Sequence, residues 1–251
     1  MHLKRLERVL SLAQAQGLDA LAVMPGPNLF YLTGLSFGVS ERPIIGFFPV
    51  DLSPGIVLPV LETGKISEVT AFPYGDEEGY ALAFHQACAT LELADARIGI
   101  EVQRMRVLEA RILRRYASGS DLVPADALLA RPRMLKDLGE LDAMRRAVAV
   151  AEEAFEAWLG QLRLGMTEKE SAARLVAALL TGGAERIAFE PIVAGGPNGA
   201  LPHAVPGNRT FEAGDWVVVD WGAVVDGYAS DITRAVVFGE PEGVLAEVHA
   251  I

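Results

Sequence analysis

Cysteine is nearly absent from the 251 residues. Cys88 is the only one, and no run rich in lysine and arginine occurs anywhere in the chain. A single thiol cannot form an intrachain disulfide, so the sequence predicts a reducing compartment, and the apolar neighbours of Cys88 favour a buried small hydrophobe over a nucleophile. The formal net charge of −11, without basic clusters, argues against nucleic acid or an anionic membrane as a partner.

Long apolar segments are lacking as well. No stretch is long enough to span a bilayer, and residues 1–10 alternate charge with leucine instead of forming the apolar centre of a secretory signal. We therefore expect a soluble, cytoplasmic protein. Because 51% of the residues are hydrophobic and 22% charged, the chain is sufficient for two modest domains.

Alternating helix and strand patterns predict an α/β domain over residues 1–130. Pro132, in a charged segment, is expected to be unable to continue a helix and to mark the boundary. Residues 131–251 then form the second domain. No internal repeat or low-complexity segment interrupts either part.

The second domain begins with a predicted helix over residues 137–164. Thr167 and Glu170 have the spacing of a capping box for the next helix, and the charges around them indicate a solvated helix start. The apolar stripe of the first helix is predicted at Leu141, Met144, Val148, Ala151, Phe155 and Leu159.

Two aspartates lie in the strand-like segment 217–238, where apolar residues are expected. Asp226-Gly227 is a strong signal for a type I′ turn, because both central residues of that turn need positive φ. This turn places Asp220 opposite Thr233, with Asp231 diagonal to Asp220 on the same face. A turn one residue earlier would place the two aspartates directly opposite each other. Both registers predict a shared face, whereas a bulge in one strand would separate the carboxylates.

Two bare carboxylates on one face should repel each other, by about 4 kcal/mol at 4 Å and an effective dielectric constant near 20. A shared proton, a nearby arginine or a cation would offset this repulsion, and a solvated sheet edge is the plain alternative. The valine, isoleucine and tryptophan neighbours favour a half-buried hairpin, where unpaired aspartates are rare. The pair therefore predicts a divalent-metal site, and oxygen ligands suit Mn²⁺, Co²⁺, Mg²⁺ or Zn²⁺, with two ions bridged by the carboxylates.

Four segments together carry a resemblance to a known family. They read NLFYLTG at 28–34, GGPNGALPH at 195–203, GDWVVVDWGA at 214–223 and GYASDITR at 227–234. In this order they resemble the M24 metallopeptidases, most closely the Xaa-Pro dipeptidase (prolidase) and aminopeptidase P branch. The resemblance implies a creatinase-like N-terminal α/β domain, followed by a pita-bread catalytic domain that is incomplete at its C-terminus.

The resemblance also implies roles for three residues. Asp220 and Asp231 match the first two ligands of the family's dinuclear metal site, and His203 matches a histidine that contacts the substrate. The implied reaction is hydrolysis of the peptide bond preceding proline in a dipeptide or short peptide, with two divalent ions (Mn²⁺, Co²⁺ or Zn²⁺). A homodimer is implied too.

The remaining family ligands, one histidine and two glutamates, follow this hairpin in the family, and their motifs are not found after Phe238. His249 is not assigned, and residues 244–251 have the periodicity of an interrupted helix. We therefore expect a fragment of a longer protein, or a truncated form, that is inactive as it stands. Two alternatives are a non-catalytic peptide-binding module of the same fold and a creatinase-type amidinohydrolase. Both have less reason to retain a repelling pair of aspartates.

Overall fold

The computed structural model describes residues 1–66 and 68–240, together with Glu247. The mixed α/β fold class predicted from the sequence is confirmed. Within these described ranges, no helix combines the length and apolar composition needed to cross a bilayer. His249, and the predicted helix over 244–251 apart from Glu247, lie outside the described residues.

The chain divides into two units, Met1–Leu135 and Lys136–Ile251. The first contains a mixed sheet of six strands in the order β4-β3-β2-β1-β5-β6. Its elements are α1 (Leu3–Ala15), β1 (Ala20–Val23), α2 (Pro27–Thr33), β2 (Ile45–Pro49), β3 (Gly55–Pro59), a 3-10 helix (Val60–Lys65), β4 (Thr70–Tyr74), α3 (Ala81–Thr90), β5 (Arg97–Ile100), α4 (Val107–Tyr116), β6 (Asp121–Pro124) and α5 (Asp126–Met134).

Helices cover both faces of this sheet. Because successive side chains of a strand point to opposite faces, Ala20 and Ala22 of β1 pack with residues of α3 and α4, whereas Leu21 and Val23 pack with residues of α1, α2 and α5. All residues of β1 are buried as a result. The unit is a three-layer α/β/α arrangement.

Asn28 joins three parts of this first unit. Its amide Nδ2 donates to Oε1 of the buried Glu101 at 2.7 Å, and its Oδ1 accepts a hydrogen bond from Arg133 at 2.9 Å. Burial raises the pKa of the Glu101 carboxyl above its usual value. The first residue of the NLFYLTG segment is therefore a structural junction, and Tyr31 of the same segment is buried in the core.

The prediction that Pro132 ends a helix is wrong. Pro132 lies inside α5, and the two units divide after Leu135, whereas the predicted boundary falls after residue 130. A proline inside a helix lacks one backbone hydrogen bond and costs about 3 kcal/mol. Pro132 is buried together with Leu128 and Leu129, so packing against the core offsets that loss.

The described residues of the second unit form two long helices and two small sheets of three strands each, in the orders β11-β10-β7 and β12-β9-β8. Residues 186–195 contain two short strands, one in each sheet. The elements are α6 (Leu138–Leu159), α7 (Glu168–Thr181), β7 (Arg186–Ile187), β8 (Ile192–Gly195), a 3-10 helix (Gly196–Ala200), β9 (Trp216–Trp221), β10 (Ala223–Val225), β11 (Tyr228–Ala229) and β12 (Ile232–Val237).

Helix α6 buries a different face from the predicted one. Of the predicted stripe only Ala151 is buried, while Val148 and Leu159 are exposed. The buried residues are Glu140, Ala143, Ala147, Ala151, Ala154 and Trp158. The small alanines allow the hairpin to approach the helix backbone, and Trp221 Nε1 donates to the Ala151 carbonyl oxygen at 2.8 Å.

The hairpin has the first of the two predicted registers. Thr233 pairs with Asp220, and Val225 pairs with Tyr228 across the turn. Asp226 and Gly227 both have positive φ, at 48° and 75°, as a type I′ turn requires. The ladder is interrupted between β10 and β9, yet the register is the same on both sides of the interruption.

Candidate functional site

Asp220 lies on the central strand of the β12-β9-β8 sheet. Along β9 the buried residues Val217, Val219 and Trp221 alternate with less buried ones, and Asp220 belongs to the second set. Its neighbours across the sheet are Ile192 on one side and Thr233 on the other. The aspartate is therefore held on a fixed strand and turned away from the hydrophobic core.

The carboxylate of Asp220 is incompletely satisfied. Its Oδ1 atom is buried and accepts no hydrogen bond from any described residue. A buried acceptor without a partner costs about 1–3 kcal/mol, and more when it carries charge. Such an atom indicates that a group outside the described residues completes its surroundings.

Asp231 directly follows Ser230, where the two sides of the hairpin lie close together. The backbone N–H of Ala223 donates to Ser230 Oγ at 3.0 Å, and the Ser230 hydroxyl donates to the Ala147 carbonyl oxygen of α6, also at 3.0 Å. Opposite, a Cβ on Gly222 would lie 2.0 Å from the Ser230 carbonyl oxygen, so only glycine fits. These contacts fix the backbone immediately before Asp231, whose side chain is exposed.

His203 lies in the segment 196–206, which we call the His203 loop. It begins with the 3-10 helix, continues through a turn in which the Ala204 N–H donates to the Leu201 carbonyl oxygen, and leaves His203 exposed. His203 is thus held in a loop between two strands, as its sequence context indicates.

One cavity brings the three predicted residues together. Its volume is about 440 Å³, and Asp220, Asp231 and His203 all line it. The remaining lining is mostly apolar and consists of Phe189, Glu190, Pro191, Ile192, Ala204, Val205 and Pro206. A concave, largely apolar cavity with a few converging polar groups is the usual form of a small-molecule site.

Sequence reasoning missed the group that supports this loop. Glu168 is fully buried, although its surroundings were predicted to be a solvated helix start. It accepts hydrogen bonds from backbone N–H groups on both sides of the His203 loop, those of Gly195 at 2.8 Å and Gly207 at 3.0 Å. The neighbouring capping box of Thr167 and Glu170 is confirmed. No local pattern distinguishes Glu168 from its exposed neighbours, because its partners lie far away in sequence.

An ion pair lies beside the start of the loop. Arg209 donates through both terminal nitrogens to Asp215, at 2.6 and 2.8 Å, and the arginine holds the pKa of the Asp215 carboxyl below its usual value. A Cβ on Gly196 would lie 2.8 Å from the Arg209 guanidinium. The glycine therefore allows the charged pair to approach the loop closely.

The metal prediction has a partial basis in these residues. Among the described residues no group of three or more His, Cys, Asp or Glu side chains is placed to hold a metal ion. Asp220 and Asp231 supply carboxylate oxygens to one cavity, and neither forms an ion pair with a described residue. The orphaned oxygen of Asp220 fits a hard divalent cation. The two aspartates are thus a suitable part of a metal site.

Comparison with known families accounts for both units. Residues 5–135 match the Creatinase/Prolidase N-terminal domain, and residues 142–251 match Metallopeptidase family M24. The chain belongs to this family. The predicted resemblance to the M24 metallopeptidases is therefore confirmed, and so is the creatinase-like character of the first domain.

Individual relatives agree with the family assignment. The chain is 27% identical to an Xaa-Pro dipeptidase of Pyrococcus horikoshii over 99% of its length and 68% of that protein's. Among solved structures, a prolidase from Thermococcus sibiricus has a TM-score of 0.91 at 28% identity, covering 100% of this chain and 69% of that one. A dipeptidase from Pyrococcus horikoshii OT3 has a TM-score of 0.90 at 33% identity, covering 98% and 68%. The chain spans about two thirds of the length of the relatives it matches.

Proposed function

We propose that the complete catalytic domain hydrolyses the peptide bond preceding proline in a dipeptide or short peptide, using two divalent metal ions held in part by Asp220 and Asp231. The convergence of Asp220, Asp231 and His203 on one cavity is the observation that carries this proposal. Two of the similar proteins, a prolidase and an Xaa-Pro dipeptidase, support the substrate class.

The metal part of the proposal is supported by the buried Oδ1 of Asp220. Without a cation this oxygen has no partner among the described residues, and the nearby Asp231 carboxylate adds like charge to the same cavity. When bound, the ions supply Lewis-acid activation of water and of the scissile carbonyl. Asp220 would hold its share of the ions from a fixed strand, and Asp231 from the hairpin that Ser230 joins to α6.

The other cavity residues would bind the substrate. His203 is exposed on its loop and carries two ring nitrogens, so it can form a hydrogen bond to the peptide next to the scissile bond. Phe189, Ile192 and Pro206 provide apolar walls suited to a pyrrolidine ring. A proline residue lacks a backbone N–H, so its recognition depends on such shape and apolar contact.

The first test concerns the 251 residues by themselves. We expect this chain to bind Mn²⁺ or Co²⁺ weakly and to leave an Xaa-Pro dipeptide uncleaved. Among the described residues no three His, Cys, Asp or Glu side chains are placed to hold a metal ion together, and divalent ions of this type need more ligands than two carboxylates. Metal titration by calorimetry and a turnover assay with added Mn²⁺ measure both. Robust hydrolysis by this chain alone would contradict the incomplete-site part of the proposal.

The second test separates the roles of the site residues in the protein that carries the whole catalytic domain. Asp231→Asn should lose both bound metal and activity, whereas His203→Ala should lower kcat/KM while metal content stays near wild type. Asp226→Asn is the matched control, because it changes an aspartate of the same hairpin and Asn-Gly still suits the turn.

The outcomes decide between the candidates. Full metal and full activity in Asp231→Asn would end the dinuclear-site proposal, and metal loss in His203→Ala would show that His203 is a ligand. A wild-type protein that binds proline peptides without turnover would instead be a binding module. Metal-independent turnover of an amidino substrate would indicate the creatinase type. The homodimer, the cytoplasmic location and the identity of the metal stay predictions of the sequence.

A further inference from the structure

Glu168 has surroundings that no step of the proposed reaction explains. It is the first residue of α7 and has no exposed surface. Its Oε1 accepts from the Gly195 N–H at 2.8 Å, its Oε2 accepts from the Gly207 N–H at 3.0 Å, and Asn198 Nδ2 lies 3.1 Å from each oxygen. All these partners are donors, which suits a carboxylate, since an ionised carboxylate only accepts hydrogen bonds.

These bonds converge from both ends of one loop. Gly195 directly precedes the His203 loop and Gly207 directly follows it, and the two residues donate to the two oxygens of the same carboxylate. Asn198, inside the loop, supplies the third donor. The loop ends are thereby held together at a fixed separation.

The start of helix α7, which carries Glu168, is hydrogen-bonded to the chain that follows the loop. The Glu168 N–H donates to the Arg209 carbonyl oxygen and the Lys169 N–H to the Gly207 carbonyl oxygen, each at 3.0 Å. The start of α7 therefore pairs with the backbone that leaves the loop. Displacing the carboxylate would release the loop while this backbone pairing remains.

We propose that Glu168 is a positioning residue, whose buried carboxylate holds both ends of the His203 loop and thereby sets where His203 meets the substrate. The functional part rests on the proposed role of His203. The loop carries His203, Ala204, Val205 and Pro206 into the cavity, so its backbone position determines that part of the site. A small misplacement of a binding group is enough to lower the rate by up to about a hundredfold.

The test variant is Glu168→Gln, which keeps the shape but replaces one acceptor oxygen with an NH₂ donor. Either Gly195 or Gly207 then faces a donor and loses its hydrogen bond. Glu170→Gln is the matched control, since Glu170 lies in the same helical turn but, among the residues that the structure describes, bonds only within the capping box. Amide hydrogen exchange of Gly195 and Gly207, followed by NMR in the 251-residue chain, should accelerate at least tenfold in Glu168→Gln and stay unchanged in Glu170→Gln.

Kinetics in the protein with the whole catalytic domain test the link to His203. Glu168→Gln should lower kcat/KM by about tenfold to a hundredfold with metal content retained. In a His203→Ala background the same change should have little further effect, because the two residues act through one contact. A purely structural role predicts equal effects in both backgrounds, and that additivity would overturn the proposal.

The two proposals fail in different ways. If the wild-type protein does not cleave Xaa-Pro peptides, the proposed function fails. Amide exchange and the NMR signals of the His203 imidazole ring, which depend on the position of the loop, still report on the loop in that case. Unchanged exchange and unchanged ring signals in Glu168→Gln refute the positioning role in any case. If Glu168→Gln does not fold, Asn198→Ala takes its place, since it removes one donor from a half-buried position. It should shift exchange and kcat/KM in the same direction by a smaller amount, and no shift refutes the proposal.

Discussion

Removing one hydroxyl at Ser230 should destabilise the second unit far more than its size suggests. Ser230 is buried, and its Oγ accepts from the Ala223 N–H and donates to the Ala147 carbonyl oxygen. Ser230→Ala leaves the Ala223 N–H buried without a partner. The Ala147 oxygen loses less, because a carbonyl within a helix also accepts a backbone hydrogen bond.

The expected magnitude follows from the orphaned donor. An unsatisfied buried N–H costs about 1–3 kcal/mol. For a small domain with a urea m-value of about 1–3 kcal/mol per M, this lowers the urea midpoint by roughly 1 M. All three tryptophans, Trp158, Trp216 and Trp221, lie in the second unit, so tryptophan fluorescence reports its unfolding selectively.

Thr181→Ala is the control for this measurement. Thr181 is exposed near the end of α7, and its hydroxyl also donates to a backbone carbonyl, that of Ala177 at 2.8 Å. Its loss should change the free energy of unfolding by no more than about 0.5 kcal/mol, as is usual for surface positions. A midpoint shift in Ser230→Ala no larger than that in Thr181→Ala would refute the reasoning.

Two further predictions concern titrating groups. Arg209 lowers the pKa of Asp215 in the folded state below the usual aspartate pKa of 3.8. Their pairing therefore stabilises the protein at pH values above 3.8, and this stabilisation is lost as the pH falls through the lower pKa of the folded state. Asp215→Asn should therefore cost about 1–3 kcal/mol at neutral pH and weaken the acid dependence of urea midpoints, whereas an unchanged acid dependence would contradict this. Burial raises the pKa of the Cys88 thiol to about 11, so a thiol reagent at neutral pH should react only on unfolding, and fast labelling of the folded chain would contradict the burial.

The hairpin was predictable because its determinants are local. The positive φ required at Asp226 and Gly227 fixes the turn, the turn fixes the register, and strand alternation then places Asp220 and Asp231. Residues close in sequence decide each step. That His203 shares a site with the two aspartates was predicted from the family resemblance alone, since no spacing rule relates a loop to a hairpin that follows it.

Other features depend on tertiary contacts and were missed or wrong. Glu168 looks like any charged residue at a helix start, and only distant N–H groups make it a buried acceptor. Pro132 disfavours a helix locally, yet core packing retains it within α5. The spacing of the large apolar residues in α6 predicted the wrong buried face, because the helix packs mainly through small alanine side chains and leaves Val148 and Leu159 exposed.

The alanine face of α6 has a consequence for how this domain tolerates change. Ala147 and Ala151 are buried where the hairpin touches the helix, and their carbonyl oxygens accept from Ser230 and Trp221. A methyl group is therefore the spacer between the helix and the strands that bear the aspartates. A larger side chain at either position would act as a wedge and tilt the hairpin, moving both carboxylates without altering a residue of the cavity. Random mutagenesis should thus find substitutions that alter the cavity on a helix that contributes none of its lining residues.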